Sequence, residues 1–115
     1  MGIDRPYPKG YDSPMIEIKQ TAEFSGWLDS IVDRQAIARI NTRIYRLAHG
    51  NPGDAKSVGD GVSELRIDYG PGYRVYFVQR GQTLIILLAG GDKRTQERDI
   101  RRSVAFAQSL REKLQ

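Results

Sequence analysis

Between Gly61 and Arg74 the chain reads GVSELRIDYGPGYR, two strand-like runs around a Gly-Pro-Gly turn. Side chains two apart in a strand share a face. Glu64, Arg66 and Asp68 therefore point one way, and Leu65 and Ile67 point the other. After the turn, Arg74 and Tyr76 share a face, with Val75 and Phe77 opposite. Paired as a hairpin, the runs give one core face and one face carrying two arginines and a glutamate. Such a face suits a phosphate-bearing ligand, because guanidinium groups meet phosphate oxygens in a planar fork. The competing structural reading pairs Arg66 with Glu64 or Asp68.

A second basic cluster, Lys93 and Arg94, follows the apolar run Thr83 to Ala89 and continues into Arg98, Arg101 and Arg102. From Asp92 to the C-terminus seven cations face four acids, so most of the excess charge lies there. The strand bearing Arg74 is expected beside the run ending at Lys93. Arg66, Arg74, Lys93 and Arg94 are therefore expected to converge in one pocket. Tyr73 and Tyr76 flank Arg74 and can either pack in the core or stack on a base. Gly90-Gly91 reads as a chain reversal, with a backbone anion cradle as the alternative. His49 reads as a helix-end or surface residue.

The positioning elements follow from periodicity. Met15 to Lys19 alternates as a short strand, and Thr21 can cap a helix lined by Phe24, Trp27, Leu28 and Ile31. A second helix is expected from about Arg34 to Ala48, with Ile37, Ile40, Ile44 and Leu47 as its apolar stripe. Arg39, Arg43 and Arg46 form a separate basic stripe on it, suited to a nucleic-acid backbone. After a polar, glycine-rich loop to Gly61, strands are expected at about Val62–Asp68, Tyr73–Gln79 and Thr83–Ala89. A final helix, about Thr95 to Lys113, carries Ile100, Val104, Ala107 and Leu110 as its buried stripe. The order β-α-α-β-β-β-α implies an α+β fold, with a small antiparallel or mixed sheet and helices packed on one face.

At 115 residues the chain has room for one domain, expected over 15–115. Residues 1–14 carry three prolines and no periodicity, and are expected as a flexible extension, with Met15 a second candidate for the natural start. The absence of cysteine excludes disulfides, thiolate catalysis and Cys-based zinc sites, and a single histidine excludes a histidine-rich metal site. No metal or cofactor is expected. No apolar run reaches membrane-spanning length, and the start lacks signal-peptide order, so a cytoplasmic location is expected. Eighteen Lys and Arg against 14 Asp and Glu give a net charge of +4.

The element order, Glu64-Leu-Arg66 with Gly72-Tyr-Arg-Val-Tyr-Phe77, and the segment Leu87-Leu-Ala-Gly-Gly-Asp-Lys-Arg-Thr-Gln96 with Asp99-Ile100 resemble the RelE/ParE toxin superfamily. Within it the chain is most similar to the HigB-like addiction module killer group. The resemblance implies a small toxin neutralised by a cognate antitoxin encoded beside it. RelE-like members act with the ribosome and cleave mRNA, whereas ParE-like members poison DNA gyrase. By position, Arg74 matches the arginine placed on the scissile phosphate, and Arg94 resembles the second catalytic arginine. Arg66 and Glu64 lie on the strand where RelE carries two lysines, and Ile100 replaces a tyrosine of its last helix. The catalytic histidines of HigB-type members have no counterpart.

RNA is cut without metal when its 2′-OH attacks the adjacent phosphate. On this reading Arg74, with Arg66 or Arg94, stabilises the charge gathering on phosphorus, and Glu64 is the candidate general base. Lys93, Arg98, Arg39, Arg43, Arg46 and Tyr73 are the expected RNA contacts, and the ribosome and mRNA are the expected partners. The rival readings are a gyrase-poisoning toxin and an RNA-binding relative without catalysis.

Overall fold

Two apolar faces on one sheet dictate the architecture. The computed structural model describes residues 15–113. Its elements run β1 (Glu17–Gln20), α1 (Ala22–Ser30), α2 (Arg34–Ala48), β2 (Ala55–Gly59), β3 (Val62–Ile67), β4 (Tyr73–Arg80), β5 (Leu84–Gly91), a single 3-10 turn (Lys93–Thr95) and α3 (Gln96–Lys113). The strands form one mixed sheet in the order β1-β5-β4-β3-β2, where only the β1–β5 pair is parallel. The class is α+β. The expected extension over residues 1–14 lies outside the described residues.

The helices do not share one face, contrary to expectation. Leu65, Ile67, Val75, Phe77, Ile85 and Leu87 meet Phe24 of α1 and Ile40 and Leu47 of α2. On the other face Val62, Tyr76, Val78, Leu88 and Ala89 meet Ala107 of α3, with Ile100, Val104 and Leu110 packed alongside. The physical reason is that β4 and β5 are apolar on both sides, and each side needs a cover. A bulge in β5 keeps Leu88 and Ala89 on the α3 side: Tyr76 faces Ala89, but Phe77 faces Leu87.

Capping sets the helix starts. The Thr21 hydroxyl accepts from the Phe24 N–H at 3.0 Å and donates to the Leu88 carbonyl at 2.7 Å, fixing α1 to β5. Asp33 caps α2 by accepting from the Gln35 and Ala36 N–H groups. His49 ends α2 as its C-cap.

Two further differences from the sequence reading concern strands. The loop expected before Gly61 contains β2, joined to β3 through Asp60 (φ 52) and Gly61 (φ 78). Two consecutive residues at positive φ give the tight turn whose twist matches a hairpin. Gly90 and Gly91 belong to β5 instead of ending it. A Cβ at Gly90 would lie 2.0 Å from Trp27 Cε3, and one at Gly91 would lie 1.9 Å from Asp99 Oδ2. The pair is there because α1 and α3 approach one strand from opposite sides.

Substituting Gly90→Ala is expected to lower stability by about 3 kcal/mol, since the indole ring it would strike is packed and stiff. Gly26→Ala sits in α1 with open space around it and should raise stability by about 0.5–1 kcal/mol. Urea denaturation of the two variants beside the parent checks both signs.

Candidate functional site

In the β3–β4 hairpin Glu64 lies opposite Tyr76, and Arg66 opposite Arg74. All four side chains share the sheet face that α3 covers. The N-terminus of α3 closes over the Glu64 end and leaves the arginine end open. Glu64 is 0% exposed, and its Oε2 accepts from the Tyr76 hydroxyl at 3.0 Å and from Gln96 Nε2 at 2.8 Å. Burial, and then the neighbouring carboxylate, push the Tyr76 phenol well above its ordinary value, so it stays protonated and donates. A carboxylate sealed in this way cannot reach a substrate hydroxyl. Glu64 is therefore corrected from general base to a group that holds Arg74.

Arg74 is nearly buried, and its Nε stands 3.9 Å from Glu64 Oε2. Its Nη1 donates to the Gly72 and Tyr73 carbonyls at 3.2 and 3.3 Å. Gly72 has φ 82, and a Cβ there would touch Arg74 Nη1 at 3.5 Å and Lys93 Cβ at 3.6 Å. Glycine thus permits the turn, and Lys93 packs at ordinary contact distance beside it. The result is a cleft of about 350 Å³ lined by Asp54, Arg66, Asp68, Gly72, Arg74 and Lys93.

Arg66 is half-exposed and pairs with Asp54 at 3.1 Å, not with Glu64 or Asp68. Two arginines directly opposite in a hairpin repel, and a separate carboxylate beside each relieves the repulsion. Arg94 does not line the cleft, contrary to expectation. It is exposed and turned back on Asp92 at 3.1 Å, a bond that raises the guanidinium's pKa and lowers the carboxyl's. It borders an adjoining recess of about 420 Å³, which shares Lys93 with the cleft and includes Arg98 and Arg101.

Most of the Gly90-to-Ile100 segment is occupied in holding the fold. Asp92 accepts from the Arg94 N–H at 2.8 Å while Thr95 returns to the Asp92 backbone, a reciprocal cap. Thr95 also donates to buried Asp99 at 2.5 Å, and Asp99 holds exposed Arg98 at 3.2 Å. Gln96 reaches Glu64, and Ile100 joins the α3-side core. Lys93 and Arg94 remain exposed.

The basic stripe on α2 divides into three roles. Arg43 is half-buried, and its Nη atoms donate to the carbonyls of Arg66 (2.6 Å), Pro52 (3.0 Å) and Asp54 (3.2 Å). It clamps the loop that carries Asp54, so it is corrected from an RNA contact to a structural tie. Arg39 lies 4.7 Å above the Tyr69 ring, and Arg46 is exposed. Both border a groove of about 410 Å³ between α2 and the end of β3. Tyr73, expected to stack on RNA, instead packs edge-on to Trp27 at 6.2 Å on the opposite sheet face from Arg74. Alternation along β4 dictates this. Among the described residues no three His, Asp or Glu side chains gather as metal ligands. Among the described residues no helix is long and apolar enough to cross a membrane.

The family model for phage-derived Gp49-like proteins (DUF891) matches residues 27–111, which span α1 to α3. The chain belongs to that family. The Gp49-like family is of RelE-like toxin type, which suggests a toxin-antitoxin role and an antitoxin partner at the level of the family. An uncharacterized protein of Haemophilus influenzae is 53% identical over 95 residues, covering 83% of this chain and 96% of the relative. The matched Gp49-like region contains both the Glu64 cluster and the Arg74 cleft.

Removing the buried carboxylate with Glu64→Ala should cost about 3 kcal/mol, because Arg74 loses its counter-charge. Tyr76→Phe should cost about 1 kcal/mol through one lost hydrogen bond. Unfolded Tyr76 ionises near its ordinary value of 10.0, whereas the folded protein keeps the proton to higher pH. Its contribution is therefore complete below pH 10 and is lost as pH rises beyond it. Denaturation curves between pH 8 and about 11 should fall less steeply for Tyr76→Phe than for the parent.

Proposed function

We propose that this Gp49-like chain is the toxin of a type II toxin–antitoxin pair and acts as a ribosome-dependent mRNA endonuclease of HigB-like kind. The observation that carries the reading is the cleft in which Arg74, Arg66 and Lys93 meet, with Arg74 backed by the buried Glu64. Three cations around one concavity match the charge of a phosphodiester in transit to a pentacoordinate state.

In the proposed reaction the substrate's 2′-OH passes its proton to solvent water, from which Lys93 is later reprotonated, and its oxygen attacks the adjacent phosphorus. The bond to the 5′ oxygen breaks, leaving a 2′,3′-cyclic phosphate and a 5′-hydroxyl. Arg74 and Arg66 hold the non-bridging oxygens, and Lys93 at the rim donates the proton taken up by the departing oxygen. Arg94 and Arg98, in the adjoining recess, meet the phosphates that follow. Ribosomal RNA aligns the 2′-OH for attack, which is where an imposed geometry contributes most. This fits a site in which Glu64 is sealed away and Asp54 is paired with Arg66. The cognate antitoxin is the proposed protein partner, and a basic surface favours an acidic segment on it.

Primer extension on cellular mRNA after brief expression without antitoxin tests the reading. New 5′ ends within translated regions are expected, reduced about 10²–10³-fold in Arg74→Ala. Arg74→Lys, which keeps the charge and loses the fork, should fall between. Growth arrest with intact mRNA would overturn the nuclease reading in favour of gyrase poisoning, and harmless expression would favour a non-catalytic RNA-binding relative.

A further inference from the structure

The α2–β3 groove is a second concavity, and its chemistry differs from that of the Arg74 cleft. Ala38 and buried Ile67 give it an apolar floor. Arg39 borders it, while the Tyr69 ring beneath that guanidinium does not. The guanidinium thus sits over the ring and also borders the groove. The platform is braced, since the Tyr69 hydroxyl donates to Asp33 at 2.9 Å and lies 3.4 Å from Gln35 Oε1. A flat, braced cation on an aromatic ring is a stacking surface for a nucleobase.

Asp68 supplies the polar edge. It is exposed, its carboxylate enters no ion pair or hydrogen bond among the described residues, and it is the one residue bordering both the groove and the Arg74 cleft. A pure phosphate site would not carry a free carboxylate, and Arg43 is spent on three carbonyls, which leaves Arg39 and Arg46 as the groove's exposed cations. A carboxylate beside a stacking surface accepts hydrogen bonds from a base edge. Guanine offers two adjacent donors on its Watson–Crick edge, N1–H and N2–H, whereas adenine and cytosine each offer one amino group beside an acceptor.

We propose that this groove takes the base of a nucleotide next to the phosphate held by Arg74, and that Asp68 makes it select guanine. The inference rests on the nuclease reading for its biological setting, but the groove's preference is measurable without cleavage. The test is NMR titration of the full chain with GMP, AMP and inorganic phosphate. GMP is expected to bind about tenfold more tightly than AMP, the size of discrimination a two-bond contact gives. Signals should shift at Arg39, Thr42 and Asp68. Asp68→Asn should erase the preference and, by taking a carboxylate from the lining of the Arg74 cleft, should not weaken phosphate binding, and Arg39→Ala should weaken GMP and AMP alike.

Equal binding of GMP and AMP, or shifts confined to the Arg74 cleft, would overturn the proposal. So would a groove that answers only to a glutamate-rich peptide, which would make it a protein-docking surface. In the primer-extension assay, wild-type ends should cluster beside guanine and spread in Asp68→Asn. If the wild type does not cut, the nuclease reading falls, and the mononucleotide titration still decides what the groove selects.

Discussion

A single carboxylate, Glu64, organises the functional half of this molecule. It is fully enclosed, yet it accepts from a tyrosine of β4 and a glutamine of α3 and stands beside a guanidinium. A charge taken out of water is tolerated only with such company. The demand runs outward: α3 must begin where Gln96 can reach, so the turn at Lys93–Thr95 must be capped by Asp92. Gly91 must lack a side chain so that Asp99 can anchor the first turn of α3. Arg74 is oriented at the end of this chain of requirements. The cleft's chemistry is thus inseparable from the way α3 docks.

The open side of the sheet is organised by Arg43 in a comparable way. Its guanidinium gathers three backbone carbonyls from two segments and so holds the Asp54 loop against β3. Asp54 then steadies Arg66 at the mouth of the cleft. One arginine spent on structure leaves another placed for a ligand.

The fold was largely legible in the sequence. The span of α2, the Thr21 cap and the hairpin register around Gly70–Gly72 follow from alternation, stripe and turn residues that act locally. What escaped was non-local. Val58 and Val62 around Asp60-Gly61 announce a hairpin, but Ala55–Gly59 has too little alternation to show its strand. Both faces of Thr83–Ala89 are apolar, which signals two covers, and only the topology says that α3 supplies the second. Strand alternation correctly put Glu64, Arg66 and Arg74 on one face. It could not say that a helix would bury one end of that face and leave the other open, nor that Asp54, twelve positions from Arg66, would take the ion pair offered to Glu64 or Asp68. Gly90-Gly91 read as a break because a sequence shows missing side chains without showing what occupies their space.

The parallel pairing of β1 with β5 has a bearing on how the chain is made. Thr21 bonds across to Leu88, 67 positions later, and β1 pairs only with β5, so the first strand has no partner until the last one has been synthesised. A loop that long closes slowly, and the helix that buries Glu64 comes later still. During synthesis, β3 and β4 can pair while their charged face is still wet. The arginines take up their final orientation only when the C-terminal helix arrives. Fragments ending before that helix therefore lack the cover over Glu64 that sets Arg74 in the cleft.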